Sequence, residues 1–81
     1  MTVEVRLFAV LTDHTGWSRQ SMDAPAGRTV EQLWQQLVQA HPGLGSLGYR
    51  PMVACDCRYS DWDSVLDDVQ EVAFLPPVSG G

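Results

Sequence analysis

Val3, Val5, Leu7 and Ala9 alternate with Glu4 and Arg6 near the start of the chain. A period of two predicts a strand with one buried face. Phe8 breaks the alternation and puts a large apolar group on the outward side. Leu11 to Trp17 reads as a connector turning at Gly16, and Ser18 to Asp23 as a second strand ending at the Pro25-Ala26-Gly27 turn. Two strands with a short connector predict a hairpin. The period then changes. Val30, Leu33, Trp34, Leu37 and Val38 form one apolar stripe, which predicts an amphipathic helix of about three turns. Thr29 reads as its N-cap, with Gln32 completing a capping box. Pro42 and Gly43 end it. Trp34 is thereby assigned to the core, and His41 to the helix C-terminus, where the dipole favours it.

The second half of the chain reads as strands. Gly43 to Arg50 holds three glycines and is expected to be a loop. Met52 to Cys55 predicts a third strand; Asp56-Cys57-Arg58 is either more strand or a tight turn, with Tyr59-Ser60 resuming beyond it. Asp61 to Asp68 reads as an acidic loop or short helical turn anchored by Trp62, Val65 and Leu66. Val69 to Leu75 closes the domain as a strand, with Val72 and Phe74 on one face and Ala73 and Leu75 on the other. This order predicts an α+β domain, a mixed sheet of four to five strands with one main helix across one face. With the first and last strands adjacent at its centre, Phe8, Leu75, Pro76 and Tyr59 would share one outward apolar patch.

That patch would sit at the root of Pro76-Pro77-Val78-Ser79-Gly80-Gly81. Two prolines keep the exit from the strand extended. Two glycines remove every side chain beside the terminal carboxylate, so the backbone fits a channel too narrow for a Cβ. Six extended residues reach about 20 Å. The chain thus divides into a domain at 1–75 and a flexible tail at 76–81, and the Gly81 carboxyl is the candidate reactive group. The bland alternative is a frayed terminus. An apolar patch beside an extended tail suits a partner that binds the one and swallows the other.

Composition narrows the partners. Eighty-one residues make one domain, near the size where a single core suffices by burying about 60% of the unfolded surface. The net charge is −5 and all five cations are arginine, which argues against nucleic acid and for a basic protein surface. With no lysine, copies of the chain could not be strung on one another through side-chain amines, unlike a chain-forming tag. No apolar run approaches the roughly 20 residues of a membrane span. The opening Met1 to Val5 has acid and no basic flank, unlike a signal peptide, so the expected location is the cytoplasm. Six of ten carboxylates fall at Asp56, Asp61, Asp63, Asp67, Asp68 and Glu71. Their spacing is not that of a calcium loop, and a solvated acidic face is expected. Cys55 and Cys57 form neither a disulfide framework nor a four-ligand metal site. They read as a core thiol and a surface thiol, since a redox pair would need a more basic neighbourhood. No phosphate-cradling loop, zinc motif or nucleophile elbow occurs.

The final run Glu71-Val72-Ala73-Phe74-Leu75-Pro76-Pro77-Val78-Ser79-Gly80-Gly81 closely resembles the end of the MoaD family, the ubiquitin-like sulfur-carrier subunits of molybdopterin synthase. The likeness extends to Val5-Arg6-Leu7-Phe8-Ala9, to Thr29-Val30-Glu31-Gln32-Leu33 and to nearly the whole length. It implies a β-grasp fold and a non-catalytic subunit that binds no cofactor or metal itself. A MoeB-like adenylating enzyme would use ATP to convert the Gly81 carboxylate to an acyl-adenylate, and a sulfurtransferase would supply sulfur to give a thiocarboxylate. The tail would then enter a MoaE-like large subunit, in a heterotetramer, and donate sulfur to cyclic pyranopterin monophosphate. Phe8, Tyr59, Leu75, Pro76, Pro77, Val78, Ser79 and Gly80 would make the partner contacts. Related carriers serve other pathways, such as thiazole formation for thiamine, and a ubiquitin-like module with an unreacted end is the third possibility. Three departures stand out. Val69 follows Asp68 where the family has an Asp-Gly turn, Asp56 replaces a common Asn, and Leu75 replaces an aromatic. The family pattern also favours a turn at Asp56 to Arg58, separating Cys55 from Cys57.

Overall fold

The alternation at the start of the chain is realised as packing. In the computed structural model, which describes residues 1–77, Val3, Val5 and Leu7 are buried along β1 (Thr2–Leu7). The chain continues through α1 (Leu11–Thr15), β2 (Arg19–Asp23), α2 (Val30–Ala40), a 3-10 turn at Pro42–Ser46, β3 (Met52–Cys55), β4 (Arg58–Tyr59) and β5 (Glu71–Leu75). The five strands form one sheet in the order β2-β1-β5-β3-β4. β1 and β5 run parallel at its centre, with Val5 opposite Val72 and Leu7 opposite Phe74; the other pairings are antiparallel. This is the β-grasp arrangement, with the first and last strands adjacent as the pattern predicts.

Helix α2 lies across one face and closes the core. Its Val30, Leu33, Trp34 and Leu37 meet Val3, Val5, Leu7, Val53, Val72 and Phe74 from the sheet. Leu11, Leu44 and Leu66 seal the edges. Each such side chain stabilises the fold by about 1.5–3 kcal/mol at most. Among the described residues no polar or charged residue is buried, so this core needs no internal partners.

The start of α2 shows why the acidic segment folds where it does. Both halves of the capping box form: Gln32 N donates to Thr29 Oγ1 at 3.2 Å, and Thr29 N to Gln32 Oε1 at 2.9 Å. The opening amides of Val30 and Glu31 donate to the carbonyls of Ser64 and Trp62, at 3.0 and 2.9 Å. The segment from Asp61 to Leu66 therefore supplies the acceptors that a helix start lacks. Leu66 and Trp62 anchor it as expected, but Val65 is 49% exposed and contributes a backbone bridge to Thr29 instead. Before β5, Asp68 takes φ 66° and Val69 N donates to Leu66 O at 3.0 Å, so the turn forms without the family's glycine.

Other expectations need correction. β1 stops at Leu7, and Ala9 is exposed at φ 53° rather than facing inward. The expected connector from Leu11 contains α1, ended by Gly16 at φ 81°, whose N–H donates to Thr12 O at 2.9 Å. Five residues are too few to display a helical period. The expected loop at Gly43 opens as the 3-10 turn begun by Pro42, because Leu44 must reach the core. Gly43 also packs against His14, where an added Cβ would lie 2.7 Å from Nδ1. β4 is Arg58–Tyr59, not Tyr59-Ser60, and β5 begins at Glu71, two residues after Val69.

Candidate functional site: the open face of the sheet

Because α2 covers one side of the sheet, the residues alternating with the core positions face the other way. In register across that face stand Arg6, Ala73, Ala54 and Tyr59. The two alanines floor a trough of about 240 Å³. Phe8, Leu75, Tyr59 and Cys57 wall it, with Arg6 and Glu71 at the charged end. Tyr59, on the short edge strand, is 70% exposed. The structure thus brings Phe8, Tyr59 and Leu75 around one concavity, whereas Pro76 and Pro77 are not part of its lining.

The charged end is organised. Arg6 lies 3.9 Å from Glu71, and Arg19 bridges Glu71 at 3.8 Å and Glu4 at 3.5 Å. Ser21 Oγ donates to Glu4 Oε2 at 3.2 Å, and the Arg6 guanidinium sits 4.8 Å from the Phe8 ring centroid. Exposed pairs of this kind contribute at most about 1 kcal/mol each. Their effect is to fix where charge stands beside an apolar trough.

The root of the tail follows from the parallel pairing. Phe8 N donates to Phe74 O at 3.3 Å, and Met52 pairs with Leu75, so β5 is held on both sides up to Leu75. Pro76 and Pro77 have no N–H to continue the ladder, and the chain leaves the sheet there. Pro76 is half-buried and Pro77 exposed. The expected roles of Val78, Ser79, Gly80 and Gly81 lie outside the described residues.

One residue that positions the trough escaped the sequence reading. Asp56 and Cys57 both take positive φ, 49° and 70°, forming the tight turn of the β3–β4 hairpin. The Asp56 carboxylate accepts from Gln70 N at 3.0 Å and Glu71 N at 2.9 Å, and Asp56 N donates to Glu71 O at 2.9 Å. The hairpin tip carrying Cys57 and Tyr59 is thereby tied to the start of β5. The turn separates the two thiols, which are free. Cys57 is exposed, while Cys55 is packed against the core, and burial pushes its thiol pKa up. Among the described residues no three side chains of metal-ligating type come together, and no helix is long and apolar enough to cross a membrane. The trough is mostly apolar, with the Cys57 thiol in its wall and the Glu71 carboxylate at its charged end.

A family described as the ThiS family matches residues 5–81. A human protein named molybdopterin synthase sulfur carrier subunit is 33% identical over 98% of this chain and 93% of its own length. A Chlamydomonas reinhardtii protein of the same name is 32% identical over 100% of both chains. Among solved structures, SAMP1 from Haloferax volcanii superposes with a TM-score of 0.82 at 29% identity, covering 100% of both chains. A chain in the complex of subunits 1 and 2 of molybdopterin-converting factor from Helicobacter pylori superposes with a TM-score of 0.68 at 26% identity, again over 100% of both chains.

Proposed function

This chain belongs to the ThiS family, and from that premise we propose that it is the sulfur carrier subunit of a molybdopterin synthase. The observation carrying this reading is that chain-long relatives bear that name. In this chain an apolar trough stands at the root of a Pro-Pro-Val-Ser-Gly-Gly tail. The reactive group is the Gly81 carboxylate. A carboxylate is a poor electrophile until one oxygen becomes a leaving group. An adenylating enzyme of the MoeB type makes it one by joining that oxygen to AMP from ATP, releasing pyrophosphate. The persulfide of a sulfurtransferase then attacks the carbonyl carbon and expels AMP, and a thiol reduces the resulting acyl disulfide, leaving a thiocarboxylate at Gly81 and a disulfide on the thiol side.

The remaining steps belong to the assembly. Phe8, Tyr59 and Leu75 dock on a large subunit of the MoaE type, and Pro76 to Gly80 lead the thiocarboxylate into its active site. The related Helicobacter pylori chain was itself solved in a complex of two subunits of molybdopterin-converting factor, which supports a partner of this kind. Docking converts sulfur delivery into an intramolecular event at high effective concentration. The acceptor is cyclic pyranopterin monophosphate, and the working unit is a cytoplasmic heterotetramer in which this chain acts as a tethered reagent. ATP is used by the adenylating partner; this chain binds no cofactor. The reading is tested by supplying sulfur-loaded chain and cyclic pyranopterin monophosphate with and without the large subunit. Molybdopterin should form only in its presence. Sulfur appearing instead in a thiazole, with none in the pterin, would assign the chain to another carrier pathway.

A further inference from the structure

On the opposite side of the molecule from the trough, the start of α2 carries a second concave surface that shares no lining residue with it. Trp62 is locked there by aromatic packing, 5.8 Å from Trp34 and 5.7 Å from Phe74 between ring centroids. The Arg50 guanidinium lies over the Trp62 ring, 4.1 Å from the centroid. Its Nη2 donates to Glu31 Oε1 at 2.5 Å. On one side of Arg50 is a depression of about 370 Å³ bordered by Trp62, Glu31 and Asp63. On its other side is a larger one, about 560 Å³, with Trp34, Val38, Leu44, Tyr49 and Pro51 among its walls. The Arg50 side chain remains 56% exposed and that of Glu31 39%, so the guanidinium is seated from outside rather than buried.

We propose that this surface docks a partner protein through an arginine seated between Trp62 and Glu31 and a neighbouring apolar side chain in the larger depression, with Arg50 as the internal guest that the partner displaces. Three observations carry it. An aromatic face beside a carboxylate is an environment that a planar guanidinium prefers over an ammonium, and Arg50 shows that the seat accepts one. Two carboxylates, Glu31 and Asp63, border a seat that holds a single cation, on a chain of net charge −5, so the local field favours an incoming arginine over a neutral side chain. The larger depression offers apolar wall beside that seat. The surface lies across the sheet from the trough, so a partner here leaves Phe8, Tyr59 and Leu75 free. This goes beyond the carrier reading and does not depend on it.

The test is a titration of the ¹⁵N-labelled full chain with the peptide acetyl-Arg-Gly-Leu-amide, followed by NMR. Saturable shifts are expected at the Trp62 indole N–H and the Glu31 and Asp63 amides, and not at Phe8, Ala73 or Leu75. The peptide acetyl-Ala-Gly-Leu-amide should give none. Arg50→Ala empties the seat and should bind the arginine peptide about threefold more tightly or better, because a site partly occupied by its own guest has its affinity reduced by the unoccupied fraction. Glu31→Gln should weaken binding by about threefold to tenfold. Both side chains are half-exposed, and retained spectral dispersion will show that the variants are folded. An Arg50→Ala chain that binds no more tightly than the parent would overturn the proposal. So would shifts centred on the sheet trough, or the absence of a saturable Trp62 shift in both chains.

Discussion

Asp56 shows how much one side chain can organise. An L-residue in the left-handed region costs about 1–2 kcal/mol, and the β3–β4 turn places two in succession. Asp56 offsets this by holding the amides of Gln70 and Glu71. Asp56→Ala is therefore expected to lower stability by about 1–3 kcal/mol in urea unfolding. Asp56→Asn should cost less, since an amide oxygen still accepts and Asn tolerates positive φ. An Asp56→Ala chain as stable as the parent would show that the carboxylate is not the tie. The thiols allow a second prediction. Burial raises the Cys55 pKa, so the folded state keeps its thiol protonated. This contribution is present below the unfolded thiol pKa and is lost as pH rises through the folded value. With iodoacetamide at mildly alkaline pH, Cys57 should be alkylated well before Cys55, as read by peptide mass spectrometry. Equal rates would contradict the packing described for Cys55.

Among the elements, α2 was the most legible because two independent signals agree there, a 3.6-residue apolar stripe and a capping box. Thr29→Ala should cost about 1 kcal/mol, measured by chemical denaturation, with the fold unchanged. A negligible loss would mean that the Ser64 and Trp62 carbonyls hold the helix start by themselves. What stayed hidden had physical reasons. α1 is shorter than two turns, so no period could show. Val65 looked like an anchor because its side chain is apolar, yet its backbone makes the bridge. Ala54 and Ala73 are unremarkable as letters; their small size matters only once the register sets them side by side beneath Phe8 and Tyr59. Phe8 and Leu75 could be paired in advance because alternation fixes the face, and the parallel pairing of β1 and β5 then brings them together. Asp56 could not, because its partners are fourteen and fifteen residues away in sequence.

Over the whole molecule the fold divides labour between the faces of one sheet. One face is consumed by the core, and the other presents an apolar trough with an ordered charge cluster beside the exit of the chain. In the proposed carrier the trough aims the tail and need not hold the domain together. Phe8→Asp should then leave stability within about 0.5 kcal/mol of the parent, as for most surface changes. The same change should weaken the complex with the large subunit by about tenfold or more in a binding titration, since aromatic residues dominate such interfaces. Unchanged affinity would move the interface elsewhere.

The most direct measurement is the intact mass of the chain after incubation with an adenylating enzyme, ATP and a sulfur donor. A sulfur carrier should gain the mass that replaces one oxygen by sulfur, mapped to Gly81 and abolished when Gly81 is deleted from an otherwise equally stable chain. No gain under these conditions, or a gain that survives the deletion, would contradict a reactive terminus.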